Sequence, residues 1–377
     1  MRFIILSVVW SIVLFGCAGK TEQVKAKYVF YFIGDGMGVN QVIGTEMYLA
    51  ELEGRIGTKS LSFTSFPVRN YVTTYSGTNA VTCSAAAGTA LATGTKTQNG
   101  RIGMRQDSGV LYSVAWRAKQ AGKAVGVSTS VAINHATPAV FYAHQPDRQM
   151  YYEIGTDAAK AGFDFYGGAG WKQVFSPHDS SAIDLYSLLR DSGYMIIDHR
   201  QDFQALSAHA GKVVYVQPED CVNPSSLPTA IDQREGDLTL ADITGKAIQF
   251  LSARNEDGFF LMVEGGIVDW LCHANDGAAA FREVVDFSEA IQVALDFYKA
   301  HPDETLIIVT ADHETGGLAL GNGPYELNLK LLANQKSSII GLTQKLKQLK
   351  KNKGKNLTYP DLRELFRQEC GFGATVK

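Results

Sequence analysis

The sequence predicts an α/β protein with a doubly wound, mostly parallel central sheet flanked by helices. Three observations predict it. Continuous apolar runs of strand length, Tyr28 to Ile33, Phe259 to Val263 and Thr305 to Val309, read as strands covered on both faces. Each run ends in glycine or an acid, and helical patterns separate the runs, which is the alternation of a parallel sheet. With 377 residues, 45% of them hydrophobic and 19% charged, the chain can bury a large core. Its net charge of -3 supplies no basic excess for a nucleic-acid partner.

The N-terminus differs in kind. Arg2 precedes an almost wholly apolar run from Phe3 to Phe15, too short for a comfortable membrane span and typical of an export signal. Leu14-Phe15-Gly16-Cys17 has the form of a bacterial lipobox, so residues 1–16 are expected to be a lipoprotein signal peptide and Cys17 to carry lipid. An uncleaved anchor is the alternative. The reading places the protein in the periplasm, tied to a bacterial membrane. Cys17, Cys83, Cys221, Cys272 and Cys370 show no zinc-finger spacing and support no pairing assignment.

From Lys27 to Ile33 a buried strand runs into Gly34-Asp35-Gly36-Met37-Gly38. The glycines let the backbone turn sharply and leave Asp35 at the strand's carboxyl end, where open α/β sheets place their sites. A dinucleotide fingerprint fails because Val39 stands where its third glycine belongs. Val39 to Leu52 reads as a helix and Tyr71 to Tyr75 as a short strand. That strand leads into Val81-Thr82-Cys83-Ser84-Ala85-Ala86-Ala87-Gly88, a run of small residues in which a tight loop enters a helix. Ser84 then sits at a helix N-terminus, where N–H groups favour an anion. An Ala-rich buried helix merely capped by Ser84 is the competing reading.

Leu111 to Ala121 is expected as a helix closed by Gly122, and Lys123 to Thr129 as the next buried strand, before Asn134-His135-Ala136-Thr137-Pro138 and the polar stretch ending in Arg148. Phe163 to Gly168 ends another strand. From about 171 to 235 the pattern weakens and prolines recur, which reads as an excursion from the main sheet within one domain spanning 25–377. Phe259 to Gly266 is a strand with Glu264 at its end, followed by Asp269 and His273 four residues apart; Asp276 to Ala300 is a long helix; the last strong strand ends in Ala311-Asp312-His313-Glu314. A helical insertion at about 325–371 carries the basic run Lys345 to Lys351, read as a solvated face, and a capped helix starting at Thr358-Tyr359-Pro360-Asp361.

Acids and imidazoles at several strand ends of one parallel sheet converge on one crevice, where unpaired charge is costly. Divalent metals resolve that cost. Mixed Asp and His ligands with open positions suit zinc, whereas oxygen ligands such as Asp35, Thr137 and Glu264 suit magnesium. Two zincs about 4 Å apart can hold the attacking and leaving oxygens of a phosphoryl group, and one of them would activate the Ser84 hydroxyl. Arg148 offers a planar fork to the remaining oxygens.

Gly34 to Gly38, Val81 to Gly94, Asn134 to Pro138 with Arg148 eleven residues after Thr137, Val263 to Gly266 with Asp269 and His273, and Thr310 to His313 together resemble bacterial alkaline phosphatases, in that family's order. The resemblance implies hydrolysis of phosphate monoesters with Ser84 as the nucleophile that becomes phosphoseryl and Arg148 as the phosphate clamp. It implies Asp269 and His273 as ligands of a first zinc, and Asp35, Ser84, Asp312 and His313 around a second. Asp35, Thr137 and Glu264 match the magnesium ligands. Relatives are often homodimers.

Three departures stand out. Cys83 occupies the place of an acid that holds the phosphate-binding arginine, which predicts a more mobile Arg148. His135 and Trp270 fill positions where relatives carry Asp, Lys or His, and are expected to shift metal preference and phosphate affinity. The first zinc lacks its usual further histidine, because no histidine follows His313, so the chain reads as cut short at its C-terminus with strands missing. This leaves a catalytically silent metal- or phosphate-binding lipoprotein as the alternative function. A phosphodiesterase would share the zinc core without Thr137 and Glu264, and a sulfatase would need Pro and Arg after Cys83 or Ser84, where Ala85-Ala86-Ala87 stands.

Overall fold

Alternating apolar residues and the register between neighbouring strands account for the architecture. The computed structural model describes residues 26–371 except 208–209, 219–224, 322 and 324. The expected signal peptide and Cys17 lie outside the described residues, as does Cys221.

The elements run β1 (Tyr28–Gly34), α1 (Val39–Leu52), α2 (Ser84–Thr93), α3 (Val114–Gln120), β2 (Ala124–Thr129), α4 (Ala136–Ala139), α5 (Tyr151–Ala161) and β3 (Phe165–Gly168). Then follow α6 (Leu185–Asp191), β4 (Tyr194–Ile197), α7 (Arg200–Gln204), β5 (Lys212–Val216), α8 (Leu240–Ser252), β6 (Phe259–Gly265), α9 (Ile267–His273), α10 (Gly277–Ala300) and β7 (Thr305–Ala311). A 3₁₀ turn at Leu329–Asn334, α11 (Ile339–Lys353) and α12 (Tyr359–Cys370) close the described chain.

The strands form one seven-stranded sheet in the order β4-β5-β3-β2-β6-β1-β7, every pair parallel. Successive side chains point to opposite faces. Phe30, Phe32, Phe259 and Leu261 therefore pack with α8 and α10 on one side, and Tyr31, Ile33, Phe260 and Met262 with residues of α2, α3 and α4 on the other. The register aligns Gly34 with both Gly265 and Ala311, and Thr129 with Glu264. The next residues after β1 and β7 are Asp35 and Asp312, so pairing alone brings Asp35 and Asp312 to one level at the sheet's carboxyl end, with Glu264, paired with Ile33, two residues before them.

Several expectations change. Tyr71–Tyr75 is not a strand; Tyr71 is 88% exposed and the segment has no ladder partner among the described residues. Aromatic and β-branched propensity makes a strand only where an edge is available to pair with it. The stretch 171–235 does not leave the sheet, since β4 and β5 lie within it and extend the sheet beyond β3. Their runs of four and five residues are too short to separate from loop by pattern. The helix expected from Leu111 begins at Val114, because Ser113 accepts a hydrogen bond from the Trp116 N–H and caps it there. β7 lies at the sheet's edge, leaving Leu306 45% and Ile308 38% exposed. The helical insertion is pinned by two carboxylates: Asp276 accepts from the Ile339 N–H at 2.7 Å and Asp232 from the Ser338 N–H at 3.1 Å. No helix among the described residues is long and apolar enough to cross a membrane.

Candidate active site

Asp35 follows β1 directly and is fully buried. The turn beyond it needs glycine, because Gly36 has φ +65° and a Cβ there would lie 2.7 Å from Thr315 Oγ1. The Gly36 N–H instead donates to Asp312 Oδ1 at 3.0 Å, tying the ends of β1 and β7 together. His313 points Nε2 into the gap, 3.5 Å from Asp35 Oδ1, 3.3 Å from Asp312 Oδ2 and 3.3 Å from Ser84 Oγ.

The structure separates the two readings of Ser84. Cys83 is the N-cap residue of α2, in extended conformation, and Ser84 is the first helical residue. The Ser84 hydroxyl makes no capping bond; its partner is His313. It faces the crevice, buried, at a helix N-terminus. α2 then ends at Gly94 in the left-handed conformation, φ 75°.

On the other side of Asp35, Thr137 of α4 donates its hydroxyl to Asp35 Oδ2 at 3.2 Å. Thr129, at the end of β2, donates to Glu264 Oε2. His135 precedes α4 and packs edge-on against Trp270, with ring centroids 5.7 Å apart. Ligand atoms of Asp35, His135 and Glu264 lie within 4.8 Å of one another, as do those of Asp35, Asp312 and His313. The first of these groups goes beyond the sequence reading, which placed His135 beside the site and not among its possible ligands. Thr129 escaped that reading altogether; its signal was a hydroxyl at a strand end, too common to single out.

Burial dominates the electrostatics. It pushes the Asp35 and Glu264 carboxyls well above the usual range, and neighbouring carboxylates add to the rise. Asp312 is pushed up to about 7 by burial, with the Asp269 and Glu264 charges adding. Burial drives His135 down to about 3, aided by the charges of Arg148 and Lys172. Four buried atoms here, Asp35 Oδ1, Glu264 Oε1, Asp312 Oδ2 and His135 Nδ1, have no hydrogen-bond partner. Orphaned carboxylate oxygens and a neutral imidazole sharing two small gaps are the donor set a divalent cation satisfies.

Asp269 and His273, four apart in the sequence, both lie on α9, a helix the sequence reading did not set out. Asp269 is buried, and its Oδ1 accepts from Thr315 Oγ1 at 2.6 Å and lies 3.5 Å from His273 Nε2. The His273 side chain is 71% exposed. Both line a cavity of about 390 Å³ together with Cys83, Ser84, Arg148 and His313. Arg148 donates its backbone N–H to Gly100 O at 2.7 Å, and the Gly100 N–H donates to Cys83 Sγ at 3.1 Å. Cys83 thus holds the loop behind Arg148 and not its guanidinium, for which no partner is found among the described residues. Cys83, Cys272 and Cys370 carry free thiols.

The sequence model of a family described as "Alkaline phosphatase" matches residues 26–167 and 178–365. Alkaline phosphatase 3 of Bacillus subtilis is 35% identical over 310 residues, which cover 80% of this chain and 64% of that protein. Alkaline phosphatase 4 of the same bacterium is 32% identical over 364 residues, 92% of this chain and 74% of that one. Among solved structures, a cold-active alkaline phosphatase from a psychrophilic Shewanella superposes with a TM-score of 0.79 at 31% identity, covering 93% of this chain and 81% of that chain. A variant of the Antarctic TAB5 alkaline phosphatase, described with Mg bound in its M3 site, gives a TM-score of 0.67 at 32% identity, with 78% and 79% covered. With Ser84, Arg148 and the clustered acids and histidines at the sheet's carboxyl end described, the family match over nearly all the described residues establishes that this chain belongs to the alkaline phosphatase family.

Proposed function

We propose that this chain hydrolyses phosphate monoesters through a phosphoserine on Ser84, with two zinc ions and one magnesium ion in its strand-end clusters. The observation that carries the reading is the Ser84 hydroxyl, which lines a cavity with Arg148, Asp269 and His273 and lies 3.3 Å from His313 Nε2, the same atom that the orphaned oxygens of Asp35 and Asp312 approach to 3.5 and 3.3 Å. Asp35, Asp312 and His313 would hold the zinc nearest Ser84, Asp269 and His273 the other, and Asp35, Thr137 and Glu264, with His135 beside them, the magnesium. When bound, these cations lower the pKa of the serine hydroxyl and of water and neutralise charge on the phosphoryl oxygens.

The chain's own groups supply the rest. Arg148 binds two phosphoryl oxygens and orients the phosphorus toward Ser84. Ser84 Oγ, its hydroxyl proton passed to solvent water, forms a bond to phosphorus as the ester P–O bond breaks, and the leaving alkoxide takes a proton back from water to depart as the alcohol. The first N–H groups of α2 face the growing negative charge. Water then attacks the phosphoserine, restoring the Ser84 hydroxyl and freeing inorganic phosphate. Hydrolysis of p-nitrophenyl phosphate with zinc and magnesium added, abolished in Ser84→Ala, is the expected result. Equal turnover by that variant would refute the nucleophile.

One observation favours a second reading, a silent metal- and phosphate-binding protein. Asp269 and His273 form no wider ligand group among the described residues, and His273 is largely exposed. Zinc bound without turnover would select it. The lipobox before Cys17 supports a lipid-anchored periplasmic protein, checked by palmitate labelling that Cys17→Ser abolishes; sedimentation of the cleaved form tests the homodimer.

A further inference from the structure

The loop after β7 carries a hydroxyl that touches both sides of the site. Thr315 is buried, and Oγ1 lies 2.6 Å from Asp269 Oδ1 and 3.1 Å from His313 Nδ1. A hydroxyl has one proton, and the carboxylate can only accept, so that proton goes to Asp269 and the oxygen is left to accept from Nδ1. The same Nδ1 lies 3.0 Å from Glu314 O, which also can only accept. Both neighbours are satisfied when the His313 proton resides on Nδ1. The Nε2 lone pair is then directed at Ser84 Oγ, Asp35 and Asp312.

Thr315 is itself clamped from α1. Gln41 is fully buried, and its Nε2 donates to Thr315 O at 2.8 Å and to Glu314 Oε1 at 3.1 Å. Glu314 Oε1 also accepts from the Gly317 and Leu318 N–H groups at 3.0 and 3.3 Å, which closes the loop on itself. A methyl in place of the Gly36 hydrogen would collide with the Thr315 hydroxyl, so the turn after β1 confines it from the other side.

We propose that Thr315, held by Gln41, is a positioning residue that aims Asp269 and His313 together, so that the ligands on the two sides of Ser84 are ordered by one hydroxyl. The inference rests on the metal-dependent reading above and adds to it the group that joins its two halves. Thr315→Val keeps the shape and loses both hydrogen bonds, whereas Thr315→Ser keeps them.

The test is zinc affinity, measured on the intact chain by competition with a chromophoric chelator, alongside melting in EDTA. Thr315→Val is expected to bind zinc about 10–100-fold more weakly, as loss of an outer-shell partner generally does, with Thr315→Ser restored to near the parent value. Gln41→Met, which leaves the hydroxyl in place, is expected to weaken zinc in the same direction, and it keeps the question open to measurement if the valine variant fails to fold. Zinc affinity unchanged in Thr315→Val and in Gln41→Met, or serine as weak as valine, overturns the assignment while leaving the enzyme reading intact. A parent chain that binds no zinc overturns the enzyme reading first.

Discussion

Removing divalent cations is the perturbation whose size the structure sets most directly. Without them, Asp35, Glu264 and Asp312 stay buried with an orphaned oxygen each, and burial raises all three carboxyls. A cation that binds only the folded chain adds about 2.7 kcal/mol at a concentration one hundred times its dissociation constant. Filling both donor groups would add about 5 kcal/mol. For a chain of this length the unfolding entropy is about 0.8 kcal/mol per kelvin, so the melting temperature should rise by about 6 °C. The pH dependence has a definite sign. A carboxyl with a raised folded pKa makes the metal-free fold bind more protons than the unfolded chain, from about pH 4 up to about 7 for Asp312. Stability of the chelated protein from these groups therefore falls as pH rises through that window. His135, held down to about 3, opposes this, because its stability contribution is lost as pH falls below the ordinary histidine value. Cations need the ligands deprotonated, so their contribution grows with pH. Calorimetry in EDTA and in excess zinc and magnesium, at pH 6 and pH 8, should show a gap that widens at pH 8 and narrows in Asp312→Asn. Identical melting with and without the cations at pH 8 would refute the reasoning.

Other outcomes follow from particular contacts. Cys83→Asp supplies a carboxylate beside Arg148; freezing one long side chain is worth about 0.5–1.5 kcal/mol, so inhibition by inorganic phosphate should tighten by about 2–10-fold, and an unchanged or weaker inhibition constant contradicts it. Asp286 is pushed up to about 6 by burial, with Glu289 and Asp242 adding, and burial also raises Glu283 beside it, with the charges of Asp286 and Asp232 adding there. Its contribution is present at pH 4 and lost by pH 6, so Asp286→Asn should gain stability over the parent at pH 8 by up to about 3 kcal/mol in urea unfolding. A variant no more stable at pH 8 than the parent rejects that origin. Gly36→Ala forces a side chain to φ +65° against Thr315, costing about 1–3 kcal/mol of backbone strain, and should lower zinc affinity with it. Unaltered melting and zinc binding would show that the turn yields freely.

Much of the site was readable along the chain because its chemistry is written in short local patterns. Asp35 between glycines, Ser84 opening a small-residue helix, Asp269 and His273 four apart and Asp312-His313 after an apolar run each carry their meaning within a few residues. β4 and β5 were hidden for the opposite reason: a run of four or five apolar residues acquires a strand's identity only when a neighbour pairs with it. Tyr71–Tyr75 failed in the same way, having the composition of a strand and no partner.

The order of these patterns in the sequence determined the fold class and the family, because apolar strands ending in acids survive in any parallel sheet that buries both faces. Strand order and register decided what the acids do together. By lying between β6 and β7, β1 brings Asp35 level with Asp312 and within two residues of Glu264, and the turn at Gly36 lets Thr315 reach Asp269 and His313. Those meetings depend on distances of a few ångströms between residues far apart in the chain. No local pattern encodes them, because they arise only when packing closes the sheet and excludes the water that would otherwise solvate each group separately.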